Sequence, residues 1–128
     1  MQSWDIRSLD LRPHSPEILA SSDDARAIAL EIPAGESLQD HQVHERAWVV
    51  VVDGVVEIAT AAGETLEGGP GLLVGFAPGE RHRVVARTTA RLLLLLTPWP
   101  GQGHPGTMPL ADKATVRQRA AEHRTGPA

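Results

Sequence analysis

Six residues, Ala47-Trp48-Val49-Val50-Val51-Val52, form an unbroken apolar run that ends on Asp53-Gly54. Four consecutive valines lose side-chain freedom in a helix and pack well on a pleated surface, so the run is expected to be a strand buried on both faces. Asp-Gly is the sequence that a two-residue type I′ turn favours, so residues 55–60 are expected to return as the second arm of a hairpin. A chain committed to such a strand needs a sheet on either side of it, which constrains the rest of the fold.

The remaining sequence supplies one. Ile28, Leu30 and Ile32 alternate with Ala27, Ala29 and Glu31, the period of two of a half-buried strand. Turn signals then recur roughly every 8–12 residues, the spacing of an all-β sandwich or barrel. They fall at Asp53-Gly54, Ala62-Gly63-Glu64, Gly68-Gly69-Pro70-Gly71 and Pro78-Gly79. Between them, residues 65–67, 72–76, 82–87 and 91–97 are short strand candidates. No alternation of strand and helix is visible. Residues 1–24 form an irregular N-terminal arm, with Ser15-Pro16-Glu17 placed to open a short helical turn. Residues 25–97 form the barrel. Residues 98–128 begin with a Pro- and Gly-rich loop and end in a short peripheral helix over about 110–123.

Composition narrows the chemistry. The 128 residues suit one domain, and with only 3% aromatics the core must be built from Val, Leu, Ile and Ala. A formal charge of −4 argues against nucleic acid or an anionic membrane surface as the partner. No apolar run approaches the ~20 residues of a membrane helix, and residues 1–7 lack a signal-peptide core, so a cytoplasmic protein is expected. Without cysteine, any metal site must use histidine, carboxylate and water, a donor set suited to Zn, Mn, Fe, Ni or Cu.

Of six histidines, His41, His44 and His82 stand beside strand candidates, with Glu45 next to His44. On one regular strand, His41, Val43, Glu45 and Ala47 share a face, and His44, Arg46 and Trp48 share the other. That pairs His41 with Glu45, whereas a bulge or loop before Arg46 turns His44 inward as well. His14 and His123 are expected at the surface. His104 and Trp99 lie in a surface loop or, on a sharper reading, a lid. Arg81 and Arg83 share a parity and are expected on a solvated strand face, the alternative being that one of Arg81, Arg83, Arg87 and Arg91 reaches an anionic substrate. No serine is marked as an activated nucleophile, and Gly68–Gly71 precedes a strand rather than a helix, which disfavours a phosphate cradle.

Gly35, five residues, His41 and, thirteen residues on, Gly54 resemble the first motif of the cupin family. Gly71, five residues and Ala77-Pro78-Gly79-Glu80-Arg81-His82 resemble the second, with a short intermotif hairpin over residues 55–69. The resemblance is to small single-domain cupins of the RmlC-like jelly-roll superfamily. It implies an all-β fold, a cupin-type double-stranded β-helix (jelly-roll barrel), with the irregular N-terminal segment and short C-terminal helix outside it. Cupins often hold one divalent metal through three histidines and a glutamate. His41 and His82 match two of those positions, while Val43 and Ala47 stand at the other two. The first metal motif is therefore degenerate, and the expected ligand set is His41, His82 and either His44 or Glu45.

Three functions follow from the resemblance. The first is a cupin binding a divalent transition metal and a small molecule in the barrel, as an enzyme an oxygenase or isomerase. The second is a metal-free ligand-binding or sensor cupin. The third is a barrel whose main role is assembly, a homodimer formed through sheet edges.

Overall fold

A computed structural model describes residues 1–41 and 45–97, residues 39–41 by their backbone. The expected C-terminal helix, His104, Trp99 and His123 lie outside the described residues, as does His44. No helix occurs among the described residues, and therefore none long and apolar enough to cross a membrane.

Nine strands form two antiparallel sheets. They are β1 (Glu17–Ser21), β2 (Arg26–Ile32), β3 (Ser37–His41), β4 (Ala47–Asp53), β5 (Val56–Thr60), β6 (Thr65–Gly68), β7 (Leu73–Phe76), β8 (His82–Ala86) and β9 (Ala90–Leu96). Sheet A has the order β1-β2-β9-β4-β7, and sheet B the order β3-β8-β5-β6. Alternation of buried and less buried residues along β4, β8 and β2 directs Val49, Val51, Val84, Leu30 and Ile32 into one shared core with Leu92, Ile58 and Phe76. This is the expected all-β jelly roll.

Three local expectations fail. Glu17–Ser21 is a strand pairing with β2, not a helical turn, because Ile18 to Ser21 complete the edge of sheet A. Asp53-Gly54 joins no hairpin. β4 and β5 lie in different sheets, and Asp53 has no positive φ, so the type I′ turn is absent. The connection is a corner that carries the chain from sheet A to sheet B. Gly54 is left-handed (φ 79°), and a Cβ there would stand 2.3 Å from the Thr89 carbonyl oxygen. The corner is thus pressed under the β8–β9 connection, where Val55 N–H donates to Thr88 Oγ1 (2.9 Å). Ala34 N–H, in the β2–β3 corner, donates to Thr89 Oγ1 (3.2 Å). Two adjacent hydroxyls satisfy two corners and close this end of the barrel.

Third, β4 is buried on its inner face alone. Ala47, Val49 and Val51 are buried, while Trp48, Val50 and Val52 are half-exposed. His14 also differs from expectation. It is half-buried, with Nε2 3.1 Å from Glu36 Oε1.

Candidate functional site at the open end of the barrel

The strand ends opposite the packed corners carry the expected site residues. Ala77-Pro78-Gly79-Glu80 forms a type II-like turn, with Glu80 N–H donating to the Ala77 carbonyl (3.0 Å) and Gly79 left-handed (φ 77°). The Glu80 carboxylate braces it by accepting from Ala77 N–H at 2.9 Å. This turn delivers the chain into β8 at His82 and also orients the imidazole, because Nδ1 lies 3.0 Å from the Glu80 carbonyl oxygen. A carbonyl can only accept, so Nδ1 carries the proton. In the neutral ring Nε2 is then the nitrogen with a lone pair. A backbone carbonyl on the far nitrogen is the arrangement that holds metal-ligating histidines in orientation.

His82 is 3% exposed, and among the described residues it is the one buried polar side chain. Its ring stacks on Phe76, with centroids 3.7 Å apart and planes 8° from parallel. Phe76 ends β7 and His82 begins β8, so the turn folds these two rings face to face. Packing and hydrogen bonding together offset the cost of burying the imidazole.

His41 reaches the same place through a register shift. Ser37 and Leu38 pair with Val85 and Val84, after which His41 pairs with His82. Three residues of β3 thus span two of β8, a bulge that puts His41 where regular pairing would put Asp40. On its other side His82 pairs with Thr60 of β5. The bulge in β3 precedes His41, and the strand is also interrupted before Arg46, where the chain passes from sheet B to sheet A, as the second sequence-based alternative expects.

Glu45 does not continue the strand of His41. β3 ends in sheet B and β4 begins in sheet A, so the shared-face argument linking His41, Glu45 and Ala47 does not apply. Glu45 is half-buried and lines a small crevice with Arg26, Leu96 and Thr97. Ala47 is 2% exposed and pairs with Phe76 and Leu96, so the wall beside His82 is apolar there. Among the described residues no three His, Cys, Asp or Glu side chains group as a metal cluster. They offer two histidine positions on paired strands and not a complete donor set.

The sequence did not reveal Phe76 and Thr60 as neighbours of His82. Phe76 is the one phenylalanine of the chain, a signal of special use, but its stacking depends on the turn geometry.

Comparison with known proteins agrees with this architecture. The cupin-domain family model matches residues 29–98, more than half of the chain. Among solved structures, an RmlC-like cupin protein from Desulfovibrio desulfuricans superposes with a TM-score of 0.66 at 19% identity, covering 77% of this chain and 97% of that one. An uncharacterised double-stranded β-helix protein from Klebsiella pneumoniae gives 0.67 at 15% identity, covering 78% and 92%. An RmlC-like cupin from Methanocaldococcus jannaschii gives 0.61 at 14% identity, covering 67% and 81%. No curated protein sequence matches the chain. At these identities the structures speak for the fold alone. The family match, the three motif glycines Gly35, Gly54 and Gly71 left-handed at their turns, and the His41–His82 pairing converge, and the chain belongs to the cupin family.

Proposed function

We propose that this cupin binds a divalent transition metal and a small molecule at the open end of its barrel, with His41 and His82 as ligands and His44 or Glu45 as a third. The observation that carries the reading is the His41–His82 register pair, made by a bulge in β3. The orientation of His82 by the Glu80 carbonyl adds support. A metal so held, Zn, Mn, Fe, Ni or Cu, would act as a Lewis acid with positions left for ligand. The protein's own part is to fix the donor nitrogen and to keep water from one side of it with Phe76.

The test is metal content of untagged protein. Stoichiometric metal, lost in His41→Ala and His82→Gln variants that keep their melting transitions, is the expected result. Protein that is metal-free and takes up none of the five added ions would refute it. A second reading, a metal-free ligand-binding or sensor cupin, is favoured by one feature. Ala47, at the position that resembles the family's carboxylate ligand, is a buried methyl group between Phe76 and Leu96. A metal-free outcome of the same test would favour this second reading.

The partner in this reading is a second copy of the chain. Trp48, Leu95 and Ala27 form one row across the outer face of sheet A, and Val50, Leu93 and Leu73 form another. The N-terminal arm is fastened to this face at Arg91 and Glu31, so β9, β4 and β7, ~4.8 Å apart and up to ~20 Å long, offer a partner at most roughly 300 Å² in plan, a small interface. Residues 98–128 offer only Trp99, Met108, Leu110 and Val116 as large apolar side chains. A second copy matches the face with an identical one, a twofold packing of sheet on sheet.

A further inference from the structure

Sheets A and B part along one side of the barrel. Their edge strands β7 and β6 are joined at the closed end and diverge towards the open end, leaving a cleft of about 330 Å³ between them. Leu66 pairs with Ile58 on β5 and so shares its inward face, yet it is 46% exposed while Ile58 is 3% exposed. An inward-facing leucine left open to solvent marks a part of the interior that the described residues do not fill. Ile58, Leu66, Val74 and Phe76 line it, together with Thr60. Phe76 also stacks on His82, so its ring is shared between the cleft and the histidine.

The rim carries charge of one sign. Glu64 stands on the β5–β6 turn and Glu80 on the β7–β8 turn, one from each side, and no Lys or Arg is among the described lining residues. Glu80 uses Oε1 to brace Ala77 N–H, which fixes its carboxylate at the mouth. An apolar floor with carboxylates at its edge selects against anions, because the ligand's apolar body is desolvated next to like charge. The volume sits at the small end of ligand pockets.

We infer that the β6–β7 cleft binds a small organic cation, an amine with a compact apolar body seated on Leu66, Val74 and Phe76 and its charge between Glu64 and Glu80. The inference rests on the small-molecule half of the proposed function and is independent of the metal. The ligand meets Phe76 where that residue lines the cleft, one ring away from His82.

The probe is 2-phenylethylamine, with 2-phenylethanol and phenylacetate as neutral and anionic counterparts. Each is titrated into chelator-treated, ¹⁵N-labelled protein at low salt and followed through backbone amide shifts. The amine is expected to move the amides of Thr60, Leu66 and Val74 and to bind roughly five- to tenfold tighter than the alcohol, as exposed ion pairs allow. That preference should shrink as salt is raised. It should vanish in the E64Q/E80Q double variant, because Glu80→Gln removes the charge and keeps an oxygen acceptor for Ala77 N–H. Leu66→Trp, a change at a half-exposed position, should fill the cleft and abolish binding with the fold intact. Phenylacetate binding as tightly as the amine, shifts mapping elsewhere, no binding by any probe, or unchanged binding in Leu66→Trp would each overturn the inference. Because metal is stripped beforehand, these results stand apart from the metal test.

Discussion

The two sheets share one core and differ on their outer faces. Inside, both present buried Val, Leu, Ile and Ala. Outside, sheet B carries Glu57, Glu67, Arg83 and Arg87, with Glu57 and Arg87 in an ion pair and Glu67 close by. The outer face of sheet A carries Trp48, Val50, Leu93, Leu95 and Leu73. Sheet B has the polar–apolar alternation of a sheet with one face in water, whereas β4 and β9 of sheet A are apolar on both faces although only the inner one is buried. The difference teaches that the core accounts for one face of the valine run of β4 and of the leucine run of β9, and that the proposed second copy is needed to account for the other.

Adjacent leucines on β9 separate these demands most sharply. Leu92 is 0% exposed in the core, and Leu93 faces outward and is half-buried. Leu92→Ala removes core packing and should cost about 2–5 kcal/mol in urea unfolding, at any protein concentration. Leu93→Ala should cost less than about 1.5 kcal/mol in dilute solution, with the cost rising as concentration is raised if the proposed second copy completes its burial. Equal, concentration-independent costs would erase the distinction between the faces.

How much of this was legible in the sequence depends on the range of the interaction that decides it. Alternation in residues 25–32 and the apolar run at 47–52 revealed strands because burial acts residue by residue. Asp53-Gly54 misled because a left-handed glycine serves a corner as well as a hairpin, and only the Thr88 and Thr89 partners distinguish the two. The one-residue shift before His41 was unreadable for a similar reason. It is defined by pairing with β8, a strand far along the chain, and leaves no mark on the residues of β3 themselves. His82 was found from its motif, whereas its stacking on Phe76 required the turn between them to be built.

A charge placed on each outer face tests whether sheet A is the side that is covered. Leu95 pairs with Trp48 and Ala27 at the middle of the apolar rows. Leu95→Lys should weaken self-association by on the order of 100-fold, about 2–3 kcal/mol, measured by sedimentation equilibrium. Val85, outward on β8 and paired with Glu57 across the strand, is the matched position on sheet B. Val85→Lys sets an ammonium beside a carboxylate and should leave the mass distribution unchanged. A wild-type chain that is monomeric at high micromolar concentration would remove the second copy from the proposal.

The smallest effects come from the two arginine–glutamate pairs, one on each outer face. Arg91 and Glu31 on sheet A have side chains only 17% and 19% exposed, with Nε 3.2 Å from Oε1. Arg91 Nη1 also donates to the carbonyls of Ile6 and Leu9, so this guanidinium fastens the N-terminal arm to the sheet. Arg87, paired with Glu57 on sheet B, is 52% exposed. Losing a partly buried arginine leaves a carboxylate and two carbonyls short of a donor, whereas water replaces an exposed one. Arg91→Met should therefore cost about 1–3 kcal/mol and speed amide exchange in residues 6–14, and Arg87→Met less than about 1 kcal/mol with no such local effect. If the two substitutions cost the same, the pairs are equivalent surface contacts. The outer face of sheet A would then differ from that of sheet B in its apolar rows alone, and the arm would have to be held by Leu11 and the Pro13–Glu31 bridge instead.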